Sequence, residues 1–93
     1  MNYTKIIHLL ENMLNQKTSV SLSKIELEKL STPEFEVIFS NLDHYFSDED
    51  IREKETEYKK FQNDELAKLI HHIKVGNLKE ANKISFLEVT PNI

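Results

Sequence analysis

A chain of 93 residues without cysteine has the length of one domain and can form neither a disulfide nor a thiolate metal site. Its composition, 39% hydrophobic and 30% charged, is typical of a globular protein that folds on a modest core. A single glycine excludes glycine-rich phosphate-binding loops, and an isoelectric point of about 5.5 argues against nucleic-acid binding.

Two helices are predicted in the first thirty residues. The first has apolar residues at i, i+3, i+4 and i+7, with Asn2 or Thr4 as its cap. This stripe consists of Ile6, Leu9, Leu10 and Met13. Ser23 and Glu26 match a capping box, which predicts a short second helix from about Lys24.

The third helix has the clearest signals. Thr32, Pro33 and Glu34 fit an N-cap, a proline at the first helical position and an acidic residue near the positive end of the helix dipole. Large apolar residues follow at helical spacing: Phe35, Ile38, Phe39, Leu42 and Phe46. We expect this helix to end near Ser47 and to anchor the core, with Phe39 fully buried.

The segment 47–62 has weak periodicity and is predicted as an acidic loop or a short helical turn. Asn63 is expected to cap a fourth helix, which Gly76 ends in the left-handed conformation. The buried face of this helix consists of Leu66, Leu69, Ile70 and Ile73. Residues 77–83 add one or two helical turns, followed by an apolar tail that contains Ile84, Phe86, Leu87 and Val89.

Together these signals predict an all-α protein, a small four-helix bundle with a short C-terminal appendage. We expect one helical domain over residues 1–93, with a core of about residues 4–75 and a C-terminal extension of 76–93. The first apolar run is interrupted by His8 and Glu11, so neither a signal peptide nor a membrane span is predicted. Without disulfides as well, we expect a cytoplasmic protein.

The acidic residues are concentrated in the middle of the chain. Residues 26–57 contain eleven acidic and three basic residues, a net charge of −8, whereas the segments on either side are each +2. A field this uneven attracts a basic partner and repels nucleic acid. The same acids also suit a surface that is merely soluble, so the block alone does not establish binding.

No convergent catalytic set can be assembled from the sequence, so we expect a binding protein rather than an enzyme, with no cofactor and no metal. His71 and His72 are adjacent and point about 100° apart on a helix, so they do not share a metal easily. His44 and Asp48 are spaced i, i+4, which suits a hydrogen-bonding contact residue. Tyr45 lies beside the predicted core stripe, and we expect it to be an exposed interface residue or one that packs against its own core.

Two stretches resemble the colicin D type of immunity protein, a family that includes immunity proteins of contact-dependent growth-inhibition toxins. The first is Phe39-Ser40-Asn41-Leu42-Asp43-His44-Tyr45-Phe46-Ser47-Asp48-Glu49-Asp50-Ile51-Arg52. The second, Asn63-Asp64-Glu65-Leu66, corresponds to the acidic start of the last main helix in that family. The resemblance covers residues 6–75; the segment 17–23 and the tail after Gly76 depart from the family pattern.

The resemblance implies a small helical bundle that neutralises a cognate toxin, often a tRNA-cleaving nuclease. Such a nuclease presents a basic cleft to phosphates, and an acidic protein in that cleft mimics the charge of the substrate. We expect the toxin-binding residues to be Asp43, His44, Tyr45, Asp48, Glu49, Asp50 and Glu53. The partner would be the basic nuclease domain, with no nucleic acid, membrane or small-molecule substrate bound.

Two other functions stay open at this point. A helical adaptor or regulatory module would use the apolar tail, residues 84–89, as its contact and possess a tendency to self-associate. A small metal-dependent hydrolase would be built on His44 and the acids around it.

Overall fold

The computed structural model describes residues 3–17 and 19–86, which form helices and turns without any strand. The predicted all-α class is therefore confirmed. The α-helices are α1 (Thr4–Leu14), α2 (Val20–Lys29), α3 (Glu36–Ser47), α4 (Glu49–Lys54), α5 (Thr56–Lys74) and α6 (Leu78–Ala81), and a 3-10 turn, Pro33–Phe35, precedes α3. The described residues thus contain two more α-helices than the four that we predicted.

Helix α1 packs against both α2 and α5. Its predicted stripe is largely confirmed, since Ile6, Leu10 and Met13 are buried and Leu9 is half-buried. The residue at its N-cap position is Tyr3, which makes no side-chain cap, so the prediction of Thr4 as the cap is wrong: Thr4 is the first residue of the helix. The other predicted cap, Asn2, lies outside the described residues. An ion pair of 2.8 Å between Glu11 and Lys74 joins the outer surfaces of α1 and α5.

Helix α2 begins four residues earlier than predicted. The Ser19 side chain accepts a hydrogen bond of 3.2 Å from the Leu22 amide and so caps the helix. Ser23 lies inside the helix and is buried, which means that the predicted capping box of Ser23 and Glu26 is wrong. The helix buries Leu27 but leaves Leu22 exposed, and this mixed pattern hid its first turn.

Helix α3 ends at Ser47 as predicted, but it begins at Glu36 and its buried face is rotated. The predicted first turn from Pro33 is the 3-10 turn, and the Thr32 side chain does not cap it, so that predicted N-cap is wrong. Phe35 and Leu42 are fully buried as predicted, whereas Phe39 and Phe46 are only half-buried. Tyr45 takes a core position, because it continues the i, i+4, i+7 series that starts at Ile38. The prediction that Phe39 is the fully buried anchor is therefore wrong.

The segment 47–62 is helical, not a loop. Helix α4 occupies its first half, and α5 begins at Thr56, so Asn63 lies inside α5 and is not its cap. Arg52 and Gln62 occupy core-facing positions on these two helices. Because both side chains are polar, no apolar periodicity marks these helices in the sequence.

The predicted second half of α5 is confirmed: Leu66, Leu69, Ile70 and Ile73 are all buried. Gly76 ends the helix with φ of +74°, and the Asn77 amide donates to the His72 carbonyl oxygen at 2.8 Å. This is the Schellman arrangement, in which glycine avoids the steric penalty of a left-handed residue.

The core continues beyond Gly76 instead of ending near residue 75. Ala81 and Phe86 are fully buried, and Ile84 is nearly so. The proposed adaptor surface on the tail is therefore not available at Ile84 and Phe86, while Leu87 and Val89 lie outside the described residues. Burial of Phe86 places the end of the described chain against α3 and α5, next to the site described below.

Candidate functional site

One cleft of the described chain lies where the end of α1 and the start of α2 face α3, α4 and α5. Its volume is about 280 Å³. The lining residues are Met13, Gln16, Val20, Tyr45, Glu49, Arg52, Glu53, Lys59 and Asn63. The cleft therefore combines two acidic and two basic side chains with an apolar wall.

Arg52 forms part of the base of this cleft and is only 7% exposed. Its guanidinium carbon lies 3.7 Å from the centroid of the Tyr45 ring, a close cation–π contact. Its Nη1 atom donates to the Tyr45 carbonyl oxygen and, at 2.6 Å, to Oε1 of Gln62. These contacts fix α4 against α3 and α5.

Gln62, which is fully buried, connects Arg52 to three further groups. Its Nε2 atom donates to Oδ2 of Asp48 at 2.9 Å, to the Tyr58 hydroxyl at 3.1 Å and to the Phe86 carbonyl oxygen at 3.0 Å. The Tyr58 hydroxyl in turn donates to Asp48 at 2.6 Å. We call Asp48, Arg52, Tyr58 and Gln62 the buried polar network, since together they join α4, α5 and the end of the described chain.

Tyr45 is a core residue, so of the two alternatives for it, packing against its own core is confirmed and exposure at an interface is wrong. It is 3% exposed, its ring packs edge-on against Phe86 at 5.5 Å, and its hydroxyl donates to Oδ1 of Asn63 at 2.9 Å. Burial raises the pKa of Tyr45 above its usual value of 10.0; Arg52 lowers it and Glu49 raises it, both by smaller amounts. The phenol therefore stays neutral and serves as a hydrogen-bond donor.

The predicted toxin-binding residues separate into three groups. Glu49, Asp50 and Glu53 are exposed on α4, and the first and last of them line the cleft. Asp43 and His44 are exposed on α3 but do not line the cleft. Tyr45 lines the cleft only as a buried wall, and Asp48 is half-buried within the polar network.

The three exposed acids of α4 have no basic partner within the described chain. Four ion pairs occur there, Lys29–Glu26, Lys68–Glu65, Lys74–Glu11 and Lys83–Glu80, and none involves α4. The surface of α4 made of Glu49, Asp50 and Glu53 is here called the α4 acidic face. No described residue forms an ion pair with it, and it is presented to solvent.

In the described part of the chain, the histidines do not form metal-binding clusters with acids. Within residues 3–17 and 19–86, no group of three or more histidine, aspartate or glutamate side chains could hold a metal ion. The rings of His71 and His72 lie 5.7 Å apart on the surface of α5. His44 has no hydrogen bond to the Asp48 carboxylate in the described chain; Tyr58 and Gln62 occupy that carboxylate instead.

Sequence reasoning missed Arg52, Gln62 and Lys59, which determine the geometry and charge of the cleft. One signal was present, because Arg52 is the only arginine in a chain with eleven lysines. Arginine is favoured over lysine where a cation is buried, stacks on an aromatic ring and makes directional hydrogen bonds. Gln62 had no comparable signal.

Comparison with protein-family models, curated proteins and solved structures gave no significant match. No helix in the described part of the chain has both the length and the apolar character needed to cross a membrane.

Proposed function

We propose that this protein is an immunity protein, a stoichiometric inhibitor that binds a basic bacterial toxin through the α4 acidic face. The observation that carries the proposal is that Glu49, Asp50 and Glu53 are exposed on one short helix without an ion-pair partner in the described chain. A tRNA-cleaving nuclease is the toxin class that we favour. Its basic cleft must bind phosphates, so it attracts a compact acidic surface.

The rigidity of α4 supports this proposal. A six-residue helix is too short to be stable alone. Hydrogen bonds of the buried polar network hold α4 against α5, from Arg52 to Gln62 and from Gln62 to Asp48. An interface that is already ordered loses less conformational entropy when it binds. The α4 acidic face is therefore held in place before the partner arrives.

Electrostatic attraction would act mainly on the rate of association. Complementary surface charges raise this rate steeply at low ionic strength, whereas about 0.1 M salt largely screens charges that are more than about 10 Å apart. We therefore expect toxin binding to slow strongly as salt is raised. Asp43 and His44 would contribute from the neighbouring surface of α3, through hydrogen bonds that affect dissociation.

The test is protection of cells against the cognate toxin, which is first identified by a pull-down from the source cell with this chain as bait. In the test variant, the three acids of the α4 acidic face are changed to lysine. Asp48 is left unchanged, because reversal of its charge would disrupt the buried polar network and confuse folding with binding. We expect the triple variant to fold and to lose protection.

The control has the same change in net charge elsewhere on the surface. Glu28→Lys, Glu36→Lys and Asp64→Lys lie on α2, α3 and α5, and all three acids are exposed. This variant should still protect, and circular dichroism should show native helicity for both variants. If both variants lost protection equally, overall charge rather than the α4 acidic face would determine binding. If the α4 variant protected as well as wild type, the interface would lie elsewhere. Either result would refute the proposal.

A further inference from the structure

Among the described residues, Arg52 is a buried cation without an acidic partner. No carboxylate oxygen of the described chain lies within 4.0 Å of its guanidinium nitrogens, although the residue is only 7% exposed. Buried charges in proteins are normally paired, because desolvation of an ion is expensive. Its link to Asp48 is indirect and passes through the neutral amide of Gln62.

The hydrogen bonds of Arg52 show which side of the guanidinium is still free. Both hydrogens of Nη1 are used, one by the Tyr45 carbonyl oxygen and one by Gln62. Nε and Nη2 together carry three more N–H groups, and the described chain offers no acceptor to them. Neither atom is sealed in the interior, since the only buried polar side-chain atoms without a partner among the described residues belong to Thr32 and Asn82. Nε and Nη2 are therefore not fully enclosed by protein, and Arg52 is one of the residues that line the cleft.

Two other donors line the same cleft. Lys59 is half-buried, and its ammonium group has no acceptor among the described residues. Asn63 accepts the Tyr45 hydroxyl through Oδ1, which leaves its Nδ2 group as a donor. The cleft thus combines a guanidinium edge, an ammonium group and an amide N–H₂ group.

We propose that this cleft binds a carboxylate group. The Nε and Nη2 groups of Arg52 match the two oxygens of a carboxylate, which is the bidentate geometry that arginine favours. Met13 and Val20 supply an apolar wall for a short hydrocarbon stem. A volume of about 280 Å³ is near the lower limit of small-molecule pockets and suits a ligand as small as an acidic side chain.

The charges around the cleft favour this ligand over a cation. Glu49 and Glu53 also line it, but both are exposed, so water weakens their field. Arg52 is buried, and its field is therefore stronger within the cleft. A bound cation would have to approach this buried guanidinium, whereas a carboxylate would neutralise it. The inference does not depend on the proposed toxin.

The test is an NMR titration of the intact, ¹⁵N-labelled protein with sodium acetate, with sodium chloride and acetamide as controls. Acetate should cause a saturable shift of the Arg52 Nε–Hε and Asn63 Nδ2–H₂ signals, and neither control should do so. Lys59→Gln should weaken acetate binding about two- to fivefold, the range for one partly exposed charge pair. The variant with both Glu49→Gln and Glu53→Gln should strengthen it by a similar factor, since two repulsive charges are removed.

These variants avoid Arg52 itself, whose removal would also disturb the fold. The proposal is overturned if acetate gives no saturable shift. It is also overturned if methylguanidinium chloride binds in place of acetate, with Lys59→Gln strengthening its binding and the double glutamate variant weakening it. The source of the carboxylate is distinguished with the protein partner found by pull-down. A partner side chain is indicated if acetate competes with that partner and Lys59→Gln weakens the complex; a free carboxylic acid is indicated if the complex is unaffected while acetate still binds.

Discussion

Gln62→Leu should be among the most destabilising single substitutions in this chain. Leucine has nearly the volume of glutamine and a similar helix propensity, so the shape of α5 is preserved. The hydrogen bonds are not, because Gln62 is fully buried and contacts Arg52, Asp48 and the Phe86 carbonyl oxygen. The substitution would leave a buried cation and a half-buried carboxylate each with one partner fewer.

The size of the effect follows from the two charged partners. Hydrogen bonds to charged groups contribute about 1.5–3 kcal/mol each, and the leucine side chain recovers part of the loss by apolar burial. We therefore expect the free energy of unfolding to fall by about 3–5 kcal/mol, against a total of roughly 5–15 kcal/mol for a domain. For a chain of this length, each kcal/mol lowers Tm by about 4–8 °C.

The measurement is urea unfolding monitored by circular dichroism, with the slope of the transition compared between variants. Lys60→Leu is the matched control, because it introduces the same side chain on the same helix at an exposed position. It should change stability by less than about 0.5 kcal/mol. If Gln62→Leu also lost under 1 kcal/mol, the buried polar network would not be a significant source of stability, and our account of how α4 is held would be refuted.

Three further predictions follow from burial and backbone conformation. Phe35→Ala should lower the free energy of unfolding by about 3–5 kcal/mol and Phe39→Ala by clearly less, since only Phe35 is fully buried; thermal unfolding that gave the reverse order would contradict the observed phase of α3. Gly76→Ala should lower the free energy of unfolding by about 1–2 kcal/mol. The loss would come only from the backbone, since φ is +74° and an added Cβ would have no neighbour within 4 Å. An unchanged urea midpoint would refute this. Because burial raises the pKa of Tyr45, the folded state retains the neutral phenol above pH 10, where the unfolded chain loses its proton. Wild type should therefore lose stability relative to Tyr45→Phe as the pH rises above about 10.0, and parallel unfolding midpoints between pH 8 and 11 would show that Tyr45 is not perturbed.

The parts of the fold that large apolar residues define could be predicted from the sequence. Helix α3 and the second half of α5 were found because their buried positions hold phenylalanine, leucine and isoleucine at helical spacing. In α3, the prediction placed the wrong residues on the buried face. Tyr45 and Phe46 are adjacent, and hydropathy alone favours Phe46 for the core, whereas the structure buries Tyr45. A tyrosine whose hydroxyl donates a hydrogen bond to Asn63, eighteen residues further along the chain, is as suitable for the core as phenylalanine.

The parts that polar pairing defines could not be predicted. Arg52 and Gln62 are acceptable in the interior only because they bond to each other and to groups on other helices. Such pairing depends on three-dimensional proximity and leaves no periodic pattern. For the same reason the sequence indicates the acidic segment but not the cleft beside it. It also groups Asp48 with its exposed neighbours, although Asp48 belongs to the buried polar network.

The packing of α1 on α5 has a consequence for the protein during its synthesis. Helix α1 packs mainly against α5, which is translated much later. Phe86, whose side chain and carbonyl group complete the core, is translated later still. At elongation rates of about 5–20 residues per second, the interval between translation of Leu14 and translation of Phe86 is roughly 4–14 s. During that time the nascent chain exposes apolar segments, and the acidic block between them is the part best suited to keep it from aggregating. The contacts that hold α4 through Gln62 are therefore completed only after Phe86 has been made, and a chain truncated within α5 would lack the Phe86 contact to Gln62.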